Sequence, residues 1–167
     1  MIEKLQDFRL PRWDELPSVD LYLDQVLSFI DNWIGDYLSD GEKKVMTRTM
    51  INNYVKQKFI NPPVNKKYDK LAVASLFVIA VLKSVYTITE VSKLIELALG
   101  ADDRVTSYNR FCDMTENAVM EAFAGDTMVK YDDPADPRHI LWNVSSSFAC
   151  QLYVKKTYLQ SEEELDK

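Results

Sequence analysis

The sequence predicts an all-α protein with one tiny β-wing and a C-terminal helical pair, on three observations. Apolar residues recur at three- and four-residue spacing along most of the chain. Good helix caps precede several of these stretches. The one segment with strand character, Val64 to Tyr68, is short and follows two prolines. With 167 residues, 47% of them hydrophobic and only four glycines, the chain can bury one core, or a small domain with an accessory helical layer.

FRLPRWDELPSVD carries two prolines six residues apart and is expected to form an extended arm, with Ser18 or Asp20 capping the first helix. From Val19, the residues Val19, Tyr22, Leu23, Val26, Ile30, Trp33, Ile34 and Tyr37 lie on one side of a predicted helix of about five turns. Asp20, Asp24 and Asp31 fall on its other side, which reads as a solvated acidic face. Ser39-Asp40-Gly41 ends that helix, and a lysine-bearing linker leads to Thr47, an N-cap residue.

The next helix is expected over 47–59. At 100° per residue, Met50, Ile51, Tyr54, Val55 and the stem of Lys58 share one side, and Thr49, Asn52, Asn53 and Lys56 share the other. Asn61-Pro62-Pro63 is expected to end it. Asp69 caps a helix that is apolar nearly all round, the expected core element. Thr87 and Glu90 have the capping-box spacing, and Gly100 is expected to stop the helix they open. Asp102 or Asp103 starts a further helix, with Tyr108, Phe111, Cys112, Thr115, Val119, Met120 and Phe123 in a stripe and Gly125 after it. Asp136-Pro137 opens a last helix of about six turns, and the acidic end SEEELDK is expected to fray. The expected division is 1–100 for the arm and wing-bearing domain and 101–167 for a helical region serving dimerisation or sensing.

Charge is distributed unevenly along this order. Lys43, Lys44, Arg48, Lys56, Lys58, Lys66, Lys67 and Lys70 face the single acid Asp69 within 43–70, giving +7; the total of −6 then leaves −13 elsewhere. Net charge alone excludes a histone-like protein, but it hides this patch. Cys112 and Cys150 lack a metal or CxxC spacing and read as reduced thiols of a cytoplasmic protein. The longest apolar run, Leu71 to Leu82, is too short for a bilayer at about 20 residues per span, so no membrane association is expected.

Catalysis is not expected either. His139 is the only histidine and has no nearby Cys or second His, so a surface or capping role is expected. No glycine spacing builds a nucleotide loop. Asp132, Asp133 and Asp136 lie in a proline-punctuated linker without the calcium-loop register. No cofactor and no metal is expected, and any small-molecule effector is unknown.

The remaining constellation suits nucleic acid. Lysine and arginine neutralise phosphates, and Asn makes bidentate contacts with an adenine edge. Thr49, Asn52, Asn53 and Lys56 are placed for a groove, and Arg48, Lys66 and Lys67 for the backbone.

RTMINNYVKQKFINPPVNKKYDKLAVASLFVIAVLKSVYTITEVSKLIELAL resembles the winged helix-turn-helix of MerR-type bacterial regulators. Ile51 and Tyr54 match that family's recognition-helix Ile and second Tyr, and Phe59-Ile60-Asn61-Pro62 its Leu-Leu-x-Pro exit. Lys66-Lys67-Tyr68 matches the basic wing that ends in Tyr, and Thr89-Glu90-Val91 the start of the fourth helix. Asn52 and Asn53 replace the usual Arg-Tyr pair, and lysines replace the wing arginines. The N-terminal part, with LPRWDELPSVDLYLDQV and TRTMINNYVK, also resembles a bacterial family catalogued as domain of unknown function 1836.

The resemblance implies a MerR-like fold and a sequence-specific DNA-binding transcriptional regulator. Recognition helix 47–59 would enter the major groove of double-stranded DNA, and wing 64–68, including Tyr68, would lie on the backbone. A homodimer reading two half-sites is expected. The alternative is a protein-interaction adaptor that keeps the fold without binding DNA. A third reading is a sensor, with Tyr108, Phe111, Phe123, Trp142, Phe148 and Tyr153 around an apolar pocket.

Overall fold

The computed structural model describes residues 5, 7–126 and 130–160. The SEEELDK terminus lies outside the described residues. The described chain is mostly helical, with a single two-stranded sheet, and none of its helices is long and apolar enough to cross a membrane.

The first helix, α1, starts later than the sequence predicts. It runs Leu23–Ile30, passes through a π-helical segment Asp31–Gly35, and finishes in one α turn, Asp36–Leu38. Leu21–Tyr22 form strand β1 instead, pairing antiparallel with β2, Lys67–Tyr68, in the register Leu21 to Tyr68 and Tyr22 to Lys67. The cap is then neither Ser18 nor Asp20: the Tyr22 amide donates to Gln25 Oε1 at 2.9 Å. Helical periodicity misled at Val19 and Tyr22, which are exposed. Tertiary pairing of backbone groups outweighed a local spacing pattern.

Helix α2 spans Arg48–Lys56, with Thr47 Oγ1 accepting from the Met50 amide. It stops three residues short of the predicted end, and the prolines are not what stops it. Lys58 takes a left-handed conformation at φ 64°. The Phe59 amide donates to the Tyr54 carbonyl at 2.9 Å and the Lys58 amide to the Val55 carbonyl at 3.0 Å. These two bonds close a Schellman cap. In consequence the Lys58 stem is exposed rather than on the core side.

Val64 and Lys67 then exchange both backbone bonds, at 3.0 and 2.9 Å, around Asn65 and Lys66 at φ 50° and 63°. Two successive positive φ angles make the tight turn whose twist suits a hairpin. β1 supplies the third chain of this small wing, because an isolated two-stranded hairpin is marginal in water.

Helix α3, Lys70–Leu82, is capped by Asp69 and buries nine of its residues, as its all-round apolar pattern requires. Helix α4, Ile88–Ala101, opens with the Thr87/Glu90 capping box and runs one residue past Gly100. Helix α5, Arg104–Ala124, starts at Asp103 and ends at Gly125, whose φ of 75° makes a left-handed cap. Helix α6, Pro137–Val154, is capped by Asp136 and continues as a π-helical segment, Lys155–Leu159.

Helices α5 and α6 lie side by side and run the same way, since Thr115 meets Ser145 and, further along, Phe123 meets Tyr153. Helix α6 therefore begins beside the start of α5 rather than beside its end. Both helices fold onto the core: Phe111, Val119, Val144 and Phe148 belong to the same buried cluster as Phe77 of α3 and Ile51 of α2.

The N-terminal arm is less extended than predicted and belongs to that core. Phe8, Leu10 and Leu16 are buried, and Trp13–Glu15 form a short 3-10 turn. The arm is strapped across α5. Arg12 pairs with Glu116 at 2.6 Å and Asp113 at 2.7 Å, the Leu10 amide donates to Glu116 Oε1 at 2.7 Å, and the Trp13 amide to Asn109 Oδ1 at 2.8 Å. Below this strap the buried Cys112 thiol reaches the Pro11 carbonyl at 3.6 Å.

Candidate nucleic-acid interface

Helix α2 is held by one side. Ile51 is fully buried, and Met50, Tyr54 and Val55 are half-buried against the core. The other side reaches solvent, and Thr49, Asn52, Asn53 and Lys56 are all exposed. The 100° spacing puts these four side chains on a single face, with Arg48 exposed at its start.

The wing meets this helix through the beginning of α1. Arg48 forms an ion pair with Asp24, two residues beyond Tyr22, whose ring lies under the Lys67 ammonium at 5.0 Å. Tyr22 and Asp24 thus join the start of α2 to the base of the wing. Both residues were missed as site members in the sequence. Asp24 reads there as part of a solvated face, because a pairing across 24 positions leaves no local pattern.

The eight predicted contact residues do not all keep that role. Tyr68 is 4% exposed and packs in the core, where burial pushes its phenol above the ordinary tyrosine range. It anchors β2, so it is removed from the candidate surface. Lys67 is half-buried and partly engaged by the Tyr22 ring. Lys66, at the turn, is exposed, and neither it nor Lys56 has an ion-pair partner among the described residues.

The flank is less basic than the segment sum implies. Asp24 holds Arg48, and Asp31 holds Lys44 at 2.8 Å, so the acidic side of α1 faces part of the basic stretch. An exposed pair of this kind is worth little, about 0–1 kcal/mol, and can exchange its carboxylate for a phosphate.

Other candidate chemistry falls apart in space. Among the described residues no group of three or more His, Cys, Asp or Glu could hold a metal ion. His139 Nδ1 meets the Tyr131 carbonyl and so ties the residues just before α6 to its first turn. The apolar cavity is smaller and elsewhere than the sensor reading places it. Tyr108 and Phe111 line a space of about 80 Å³ between α3, α4, α5 and α6, below the size that takes a ligand, about 300–1,000 Å³. Phe123 and Tyr153 fill each other's side with ring centroids 5.2 Å apart, and Phe148 packs on Phe8 at 6.1 Å.

No curated protein and no solved structure matches this chain. A family model does match, over residues 11–113, from the arm through α1, α2, the wing, α3 and α4 into the first half of α5. The chain therefore belongs to the family described as a domain of unknown function, DUF1836.

Proposed function

We propose that the protein binds double-stranded DNA as a transcriptional regulator, with α2 in the major groove and the wing on the sugar-phosphate backbone. The observation that carries this reading is the exposed α2 face. Among the described residues nothing covers Thr49, Asn52, Asn53 and Lys56, and the group holds two amides, a hydroxyl and a cation but no acid. The connectivity supports it as well: a strand, two helices, a hairpin that returns to the strand, and two more helices suit a MerR-like winged helix-turn-helix. One such module gives weak, salt-sensitive binding, so a homodimer engaging two half-sites about 34 Å apart completes the proposal.

A gel-shift series against random-sequence and genomic fragments tests it. Lys56→Ala and Lys66→Ala should weaken binding to all sequences alike and flatten its salt dependence, whereas Asn52→Ala should change which sequence is preferred by about 1–3 kcal/mol. Absence of binding in low salt, or identical behaviour of the two variant classes, contradicts the reading. The Arg48 and Lys44 pairs with α1 favour a second reading, an adaptor that engages an acidic protein surface. A stable protein partner recovered free of nucleic acid would support that one.

A further inference from the structure

A second cavity, of about 540 Å³, opens between the last turn of α1, the linker 39–47, the C-terminal end of α3 and the last turns of α6. Its volume falls within the range of small-molecule sites, about 300–1,000 Å³. Five lysines line it, Lys43, Lys44, Lys83, Lys155 and Lys156, against two carboxylates, Asp40 and Glu42.

Those carboxylates leave the charge unbalanced. Asp40 holds Lys155 at 3.1 Å and accepts from Gln160 Nε2 at 2.9 Å, and Lys44 is engaged by Asp31. Lys83 and Lys156 are half-buried, and neither has an ion-pair partner among the described residues. Lys83 Nζ donates to the Val45 carbonyl and lies 3.6 Å from Met50 Sδ. These contacts fix the ammonium in the wall without countering its charge. Asp40, already shared with Lys155, is a carboxylate near Lys156 as well. Burial, with repulsion from Lys155, holds both ammonium groups below the ordinary lysine range. Two like charges half out of water, with no ion-pair partner of their own among the described residues, gain from an anion that joins them.

A separate observation points to the same place. The π-helical segment Lys155–Leu159 contributes Lys155 and Lys156 to its wall. Single π turns inside α-helices occur frequently at functional sites.

We infer that this cavity is a binding site for a small phosphate-bearing metabolite, with Lys83 and Lys156 neutralising the phosphate and the exposed Lys43 also in its lining. Lysine favours phosphate over a lone carboxylate here. It acts as a point charge without the planar fork that matches a carboxylate, and a phosphate monoester brings about −1.5 to −2, which matches two ammonium groups that have no ion-pair partner among the described residues. The wall includes Thr47 and Met50, so an occupant touches the cap and first turn of α2. The site itself does not depend on DNA binding.

Titration calorimetry and thermal melting of the full chain, without DNA and in low salt, test the inference with pyrophosphate, adenosine monophosphate and uncharged adenosine. Pyrophosphate or the monophosphate should bind and raise the melting temperature, and adenosine should not. If pyrophosphate alone binds, the site takes inorganic phosphates; if the monophosphate binds more tightly, it takes a phosphorylated organic molecule. Lys156→Gln and Lys83→Met should each weaken binding by about tenfold, the size expected for one charge-assisted hydrogen bond. Lys56→Ala and Lys66→Ala, on the exposed face, should leave it unchanged. Failure of both phosphates to bind overturns the inference, as does an equal loss in Lys66→Ala, the signature of diffuse attraction to a basic surface. Lys156 is half-exposed, so Lys156→Gln keeps the test intact if Lys83→Met does not fold.

Discussion

Positive charge is drawn partly out of water in two places, and the two are matched differently. At the arm, Arg12 meets two carboxylates, with side-chain exposure of 23% for Arg12 and 20% for Glu116; its hydrogen bond to Glu116 and the neighbouring charges raise its pKa above the ordinary arginine range. In the basic cavity, Lys83 and Lys156 are half-buried among other lysines, and their pKa values fall. Partial burial of a cation thus stabilises the fold at the arm and opposes it in the cavity. The partner decides the sign, not the depth.

The largest test of that contrast is Arg12→Ala. It leaves Glu116 with only the Leu10 amide and loosens the arm on α5, and should cost about 3 kcal/mol in denaturant unfolding. A loss below about 1 kcal/mol would place the strap with ordinary surface pairs.

The arm also covers a titratable thiol. Burial pushes Cys112 from 9.0 up to about 12, so the folded state keeps a proton that the unfolded chain releases. Stability from this group is complete below pH 9 and is lost as pH rises from there through about 12. The unfolding free energy of Cys112→Ala should fall less steeply above pH 9 than that of the wild type. Equal slopes would show that the thiol is not sealed under the arm.

In the cavity the expected sign reverses. Lys156→Met removes a charge with no ion-pair partner among the described residues and keeps its stem, and should raise stability by about 0.5 kcal/mol after allowing for solvent screening. Any destabilisation would mean that Lys156 has a counter-charge. The smallest effect is that of salt: moderate sodium chloride should stabilise the wild type by about 0.3 kcal/mol more than Lys156→Met, because ions screen the repulsion the variant has already lost.

The helices were legible where a cap and a periodic face coincide. Thr47, Asp69, Thr87, Asp103 and Asp136 all cap as their spacing requires, and the exposed side of α2 comes directly from counting residues around it. What escaped depends on contacts between distant positions. Leu21-Tyr22 has a helical spacing and becomes a strand only because Lys67-Tyr68 lies beside it. The arm reads as a loose proline-rich lead, since nothing near it in sequence announces Asp113 and Glu116. Contiguous lysines at 43–70 are visible on inspection, whereas a cavity that gathers Lys43, Lys83 and Lys156 becomes visible only once the chain is folded.

The π-helical segment inside α1 also says something about chain length. A π turn closes over one residue more than an α turn, so Asp31–Gly35 holds a supernumerary residue between the α turns on its two sides. Removing one residue from Asp31–Gly35 lets α1 resume ordinary winding without rotating the turn Asp36–Leu38 beyond it. It is a point where α1 can be shortened by a single codon and still present the same residues to the core.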